Sequence, residues 1–170
     1  MKSKTSTPTP PKKILAVDPG FDRVGIALLT KEHGNPKLIF SECFKTNRKK
    51  TGAERLSSIG QKLEKTIREW RPEALAIETL FFNTNATSAI GVAEARGVIL
   101  YEADKAGLEI YEYGPQAVKV AVTGYGKAGK KEVALMVKKL LGMKGQLKIL
   151  DDETDAIALG ITHLATERGI

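Results

Sequence analysis

The spacing of apolar residues changes along the chain, from short continuous runs to stripes of helical period, and that change lays out the elements. Residues 14–17 form an apolar run stopped by Asp18-Pro19-Gly20, where Pro and Gly force a turn. The run therefore predicts a strand with Asp18 at its end. Residues 24–30 predict a second strand, 33–36 a turn and 38–44 a third strand, and such short connections imply an antiparallel meander. Leu56, Ile59, Leu63, Ile67 and Trp70 step by 3, 4, 4 and 3, one apolar stripe of a helix over about 53–70, ended by Pro72. Residues 74–77 predict a fourth strand, running into Glu78; a strand reached through a helical crossover lies parallel to its neighbour. Residues 84–88 offer several N-caps to a small-residue helix that runs to Ala106, with Gly107 just beyond it. A fifth strand follows at 110–113, then a helix at 115–122, a glycine-rich loop at 124–129, a helix at 131–141 and a last helix at about 152–168. The order describes an α/β fold: a mixed five-stranded sheet, three antiparallel strands followed by parallel additions, flanked by helices.

The chain has 170 residues, 42% of them apolar, which suits one folded domain. Residues 1–12 are mostly Ser, Thr, Pro and Lys without periodicity, and are expected to be a disordered basic tail ahead of a folded domain at 13–170. No run reaches the roughly 18 apolar residues of a membrane span, and the basic N-terminus lacks the apolar core of a secretory signal. Asn85-Ala86-Thr87 is then a chance glycosylation sequon. Cys43 is the only cysteine, so neither an internal disulfide nor a cysteine-built zinc site can form, in keeping with a reducing cytoplasm.

Net charge is +7, which directs attention to an anionic partner, nucleic acid first. The distribution matters more than the sum. Lys2, Lys4, Lys12 and Lys13 carry four of the charges with no acid among residues 1–13. A second basic stretch, 119–148, holds eight lysines against the single acid Glu132. Within it, Gly124 to Lys130 reads G-x-x-x-x-G-K, but Lys131 stands where a nucleotide-binding loop needs Ser or Thr for Mg²⁺. The glycines there instead let backbone approach a phosphate, with Lys127, Lys130 and Lys131 supplying charge. A third basic segment, 45–50, is read as a solvated loop. His33 falls in a turn, and His163 lies over two helical turns beyond Asp155, a structural position.

Four carboxylates stand where chemistry would use them. Asp18 and Glu78 end the first and fourth strands. Asp152 and Asp155, three apart in the first turn of the last helix, share a face. Glu78 directly follows an apolar run, where a charge has no packing role. Clustered carboxylates repel, so without a counter-charge some would stay protonated. Oxygen-only ligands suit Mg²⁺, or Mn²⁺, over zinc or copper. Two such ions serve in-line hydrolysis of a phosphodiester. A phenylalanine at 81, just past Glu78, could stack on an unpaired base, with Phe82 expected in the core.

The segments ILAVDPGFDRVGIALL (14–29), IETLFFNTNATSAIGVAEARGVIL (77–100), QAVKVAVTGYGKAGKKEVALMVKKLL (116–141) and DDETDAIALGITH (151–163) together resemble the RuvC family of Holliday junction resolvases. The first segment alone is unspecific; the second and last are far more so. The resemblance implies an RNase H-like fold and a homodimer that nicks two opposed strands of a four-way DNA junction. It places the catalytic and metal-binding acids at Asp18, Glu78, Asp152 and Asp155, with Asp152 at a position where some members carry histidine. It puts the stacking aromatic at Phe81 and DNA-contacting lysines at Lys119 and Lys130. It also implies a RuvA–RuvB branch-migration partner and a dimer surface on the helix at 86–106, whose small residues permit close approach. The alternative is a YqgF-type RNase H-like nuclease acting on structured RNA, which shares the D-P-G start but lacks the FF–N–SA–ARG segment.

Overall fold

A computed structural model describes residues 12–80, 86–143 and 150–167. The first three strands, β1 (Ile14–Asp18), β2 (Arg23–Glu32) and β3 (Asn35–Lys45), form the expected antiparallel meander. The β2–β3 turn is tighter than the pattern predicts. His33 and Gly34, both at positive φ (49° and 84°), make a two-residue hairpin, and β3 runs on through Pro36. Proline is tolerated there because β3 is an edge strand, whose outward N–H positions owe nothing to the ladder.

Helix α1 (Gly52–Trp70) starts in a capping box. The Thr51 hydroxyl accepts from the Glu54 N–H, and the Glu54 carboxylate accepts from the Thr51 N–H. The helix stops where Arg71 turns left-handed (φ 49°) ahead of Pro72. β4 (Ala74–Glu78) then pairs parallel to β1, and after α2 (Ala86–Lys105) strand β5 (Glu109–Tyr113) pairs parallel to β4. The sheet order is β3-β2-β1-β4-β5. Helices α3 (Pro115–Thr123), α4 (Lys130–Leu140) and α5 (Asp151–Thr166) complete the order.

Alternation along the strands divides the core in two. Leu15, Val17, Val24, Ile26, Leu75 and Ile77 face α1 and α2. Ile14, Ala16, Ala27, Leu29, Ala74 and Ala76 face α5, with valines of α3 and α4 behind it. Residues toward α5 are small at the sheet's centre, so the helix lies close. A Cβ at Gly160 would overlap Leu29 and press on Ala16. His163, on the same helix, is buried, and its Nδ1 lies 2.9 Å from the Tyr113 hydroxyl, the structural role its position implied.

Of the expected basic tail, only Lys12 is among the described residues. Its carbonyl accepts from the Thr30 hydroxyl (2.9 Å) and its ammonium pairs with Glu167 (3.3 Å). Phe81, Phe82, Lys144 and Lys148 lie outside the described residues. Among those described, no helix is long and apolar enough to cross a membrane.

Candidate active site

The site is a product of strand parity. Asp18 follows Ile14 and Ala16 on the α5 face of β1, and Glu78 follows Ala74 and Ala76 on the same face of β4. Because the two strands are parallel and pair from Ile14↔Ala74 to Val17↔Ile77, one further residue sets Asp18 beside Glu78 at a single edge of the sheet. Helix α5 begins over that edge and brings Asp152 and Asp155 to it.

Its close approach depends on a residue the sequence pattern does not single out. Gly25 on β2 pairs with Asp18 on one side and Cys43 on the other. A Cβ at 25 would overlap the main-chain carbonyl of Asp152 and touch the Asp18 Cβ. Glycine inside a strand marks such close approach. Asp152 is then held from two sides: Arg23 Nε stands 3.2 Å from its Oδ2, and the Cys43 thiol donates to the same oxygen at 3.5 Å. Burial, reinforced by the Asp152 charge, pushes the Cys43 thiol above its ordinary pKa, so it serves as a proton donor rather than a thiolate.

Arg96 on α2 is the other unanticipated residue. Its Nε donates to the main-chain carbonyl of Glu78 (3.2 Å), and its guanidinium pairs with Glu112 on β5. It thereby fixes the end of β4 from the far side of the sheet. The hydrogen-bond pairing of a helical arginine with a strand carbonyl has no signature in sequence.

Electrostatics mark the cluster as short of positive charge. Burial, then Asp155, Glu78 and Asp152 in turn, push the Asp18 carboxyl up to about 8, against a partial offset from Lys130. Burial, then Asp155, raises Glu78, again opposed by Lys130. Burial raises Asp155 as well, opposed by its ion pair with Lys130 at 3.6 Å. Glu78, Asp155, Lys119 and Lys130 line one cavity of about 300 Å³ floored by Val118 and Val133. Lys127 and Lys131 are exposed in the adjoining loop and first turn of α4.

Among the described residues, no three acid, His or Cys side chains are drawn together tightly enough to grip an ion as they stand. The reason is visible in the pairings. Asp152 leans to Arg23 and Asp155 to Lys130, each taking the nearest cation in place of another carboxylate. The donor set nonetheless fits a hard divalent cation: all oxygen, four carboxylates from three elements, and one of them holding its proton because it is buried beside the other three.

The family model described as "Crossover junction endodeoxyribonuclease RuvC" matches residues 14–163. A protein of that description from Syntrophomonas wolfei is 42% identical over 92% of this chain and 90% of its own length. One from Alkaliphilus metalliredigens is 43% identical over 88% and 91%. Among solved structures, Thermus thermophilus RuvC in complex with Holliday junction substrate is 35% identical, covers 89% of this chain and 92% of its own, and superposes with a TM-score of 0.82.

Proposed function

This chain belongs to the RuvC family of crossover junction endodeoxyribonucleases, with its RNase H-like fold, and from that premise we propose that it resolves four-way DNA junctions by metal-dependent phosphodiester hydrolysis at the Asp18–Glu78–Asp152–Asp155 edge. The observation that supports the site assignment is geometric: parallel register sets Asp18 beside Glu78 at one edge of the sheet, and α5 starts against that edge with Asp152 packed on Gly25 and Asp155 in one cavity with Glu78. A half-buried acid cluster with fewer cations than carboxylates is a poor structural element and a good receptor for cations.

Asp18, Glu78, Asp152 and Asp155 would hold Mg²⁺, with Mn²⁺ a substitute and two ions the expected number. When bound, the ions supply charge stabilisation to the attacking and leaving oxygens of an in-line displacement. The chain's own residues do the rest. As a ligand Asp18 would be ionised. Lys130 exchanges Asp155 for the incoming phosphate, and Lys119, on the same cavity wall, adds a second positive charge. Lys127 and Lys131 extend the basic track along the backbone, where contacts set position rather than sequence. Phe81, next in chain to this edge, is assigned to stacking on a junction base.

A two-fold dimer suits a substrate with opposed equivalent strands, since it sets two identical sites in opposite senses. We assign the dimer surface to α2, whose outer side exposes Ile90 and Tyr101 on either side of the exposed Gly97. A RuvA–RuvB motor as partner, a cytoplasmic setting, and residues 1–12 as a basic tether beside a domain at 13–170 complete the proposal.

The test is cleavage of synthetic four-way junctions beside structured RNA with Mg²⁺. Junction cutting that is lost in Asp18→Asn while junction binding persists supports the site. Robust RNA cutting with intact junctions would overturn the reading in favour of a YqgF-type activity.

A further inference from the structure

The basic segment after β3, read from sequence as a solvated loop, stands in the structure at the catalytic edge. Strand β3 ends at Lys45, paired with Arg23, two residues beyond the Asp18–Gly25–Cys43 row. Two strand spacings across and two residues along put Lys45 about 10 Å to the side of Asp18 and about 7 Å further out. The lysines of α3 and α4 flank the acids from one direction, and this loop flanks them from the other.

The loop is anchored to the turn that follows the catalytic aspartate. Thr46 is buried; its hydroxyl donates to the Phe21 carbonyl (2.8 Å) and its N–H donates to the Asp22 carbonyl (3.0 Å). Arg55 donates through Nε to the Thr46 hydroxyl (2.9 Å), pairs with Asp22 and lies 4.0 Å over the Phe21 ring. Asp22 is held below the usual carboxylate range, chiefly by its hydrogen bond from Arg55. Residues 45–50 are thus pre-set against residues 18–22.

Beside this bolt lies an open cavity of about 510 Å³, lined by Lys45, Asn47, Lys50, Arg55, Ser57 and Gln61. Over 45–55 the chain carries Lys45, Arg48, Lys49, Lys50 and Arg55 against Glu54 alone. Arg48 and Arg55 are committed to Asp22, and Lys50 pairs with Glu54 (3.1 Å). Lys45 and Lys49 are in no ion pair among the described residues, and both are exposed. Phe44 and Glu54 line the cavity as well, but across the loop ammonium groups outnumber the one acid, and α1 adds hydroxyl and amide donors, which is chemistry for a phosphodiester.

We propose that the 45–50 loop, with the α1 residues lining its cavity, is a second phosphate-binding site that grips the DNA backbone on the β3 side of the cut. This rests on the junction-cutting reading above. A duplex arm presents a charge every ~1.7 Å of axis, so an arm laid over the acids carries phosphates across this loop as well. The tie between Thr46, Arg55 and Asp22 transmits that grip to the Asp18 turn, fixing the register of backbone and acids.

Junction binding measured between 50 and 200 mM salt with chelator present, so that nothing is cut, tests it. Lys45→Ala/Lys49→Ala should lower the slope of log affinity against log salt by about two, near one per lysine, and weaken binding on the order of 10-fold at physiological salt. The loss should be equal for junctions of different sequence, and Lys45→Arg/Lys49→Arg should restore it. An unchanged slope and affinity in a folded double variant, with wild type binding normally, overturns this inference and leaves junction cutting standing. Failure of the wild-type protein to bind junctions would instead sink the reading on which it rests.

Discussion

To serve as the proposed metal ligand, Asp18 would have to give up a proton that burial and three neighbouring acids hold to about pH 8. The sign of the consequence is fixed by the direction of the shift. In the unfolded chain the group titrates near its ordinary 3.8, in the metal-free fold near 8. Between those values unfolding releases a proton, so the metal-free protein loses stability as pH rises, at about 1.4 kcal/mol per unit if the shift is fully realised. Melting curves in chelator should therefore fall from pH 5 to pH 8, and Asp18→Asn should flatten that fall and raise Tm at pH 8. Mg²⁺ should recover the wild-type Tm at pH 8 but not that of the variant. Cutting should rise with pH toward 8 and fail in mild acid, and more Mg²⁺ should move its midpoint downward as metal displaces proton. A rate that is flat to pH 5, or a midpoint indifferent to Mg²⁺, would count against Asp18 as a ligand. Gly25 makes a second prediction at this scale. Gly25→Ala must push the Asp152 carbonyl aside, costing about 1–3 kcal/mol in stability and most of the activity, with weaker Mg²⁺ dependence read from the same assay.

Elements carry the acids, and what they are tied to sets how well. Arg96 joins α2 to the last carbonyl of β4, so Arg96→Ala should lower turnover about 10-fold, as loss of an orienting group does, and raise the Mg²⁺ needed for half-maximal cutting. Junction affinity should hardly move. Arg96→Lys should recover part of the turnover, because it keeps one of the two donations; a variant that merely melts earlier, with normal turnover below its Tm, would reduce Arg96 to scaffolding. This is also the scale at which sequence was most and least informative. The ends of β1 and β4 were legible because short continuous apolar runs stop at charges, and α5 because two acids open an apolar helix. The hairpin at His33 and Gly34 was blurred by Pro36, which an edge strand admits. Arg96, Gly25 and Thr46 escaped because their roles lie in contacts between segments far apart in the chain, which no local pattern encodes. The 45–50 loop was read as solvent-facing for the same reason: its charge was plain, its position beside the Asp18 turn was not.

For the whole molecule, the two faces of the sheet divide the labour. The α5 face holds the acids and their lysines. The opposite face holds α2, with Ile90 62% and Tyr101 64% exposed, a costly display of apolar surface for a lone protomer. Ile90→Glu/Tyr101→Glu should convert a dimer into monomers by sedimentation, and should abolish paired nicking within one binding event while leaving each acid site intact. Monomeric wild type at micromolar concentration would remove α2 from the proposed interface. Arg96 and Gly91 extend the logic: Gly91 admits the Phe21 ring and Arg96 holds β4, so the helix assigned to the dimer also braces both strand ends that carry acids.

The position of α5 in the chain has a consequence for biosynthesis. Asp18 and Glu78 emerge from the ribosome early, yet half of the acid set waits on residues 151–155, and those reach the sheet only when the helix they open has settled over Gly25 and Gly160. On the proposed assignment, the edge gains its full set of carboxylates only once α5 has docked on the sheet, so assembly of the site reports that this helix is in place.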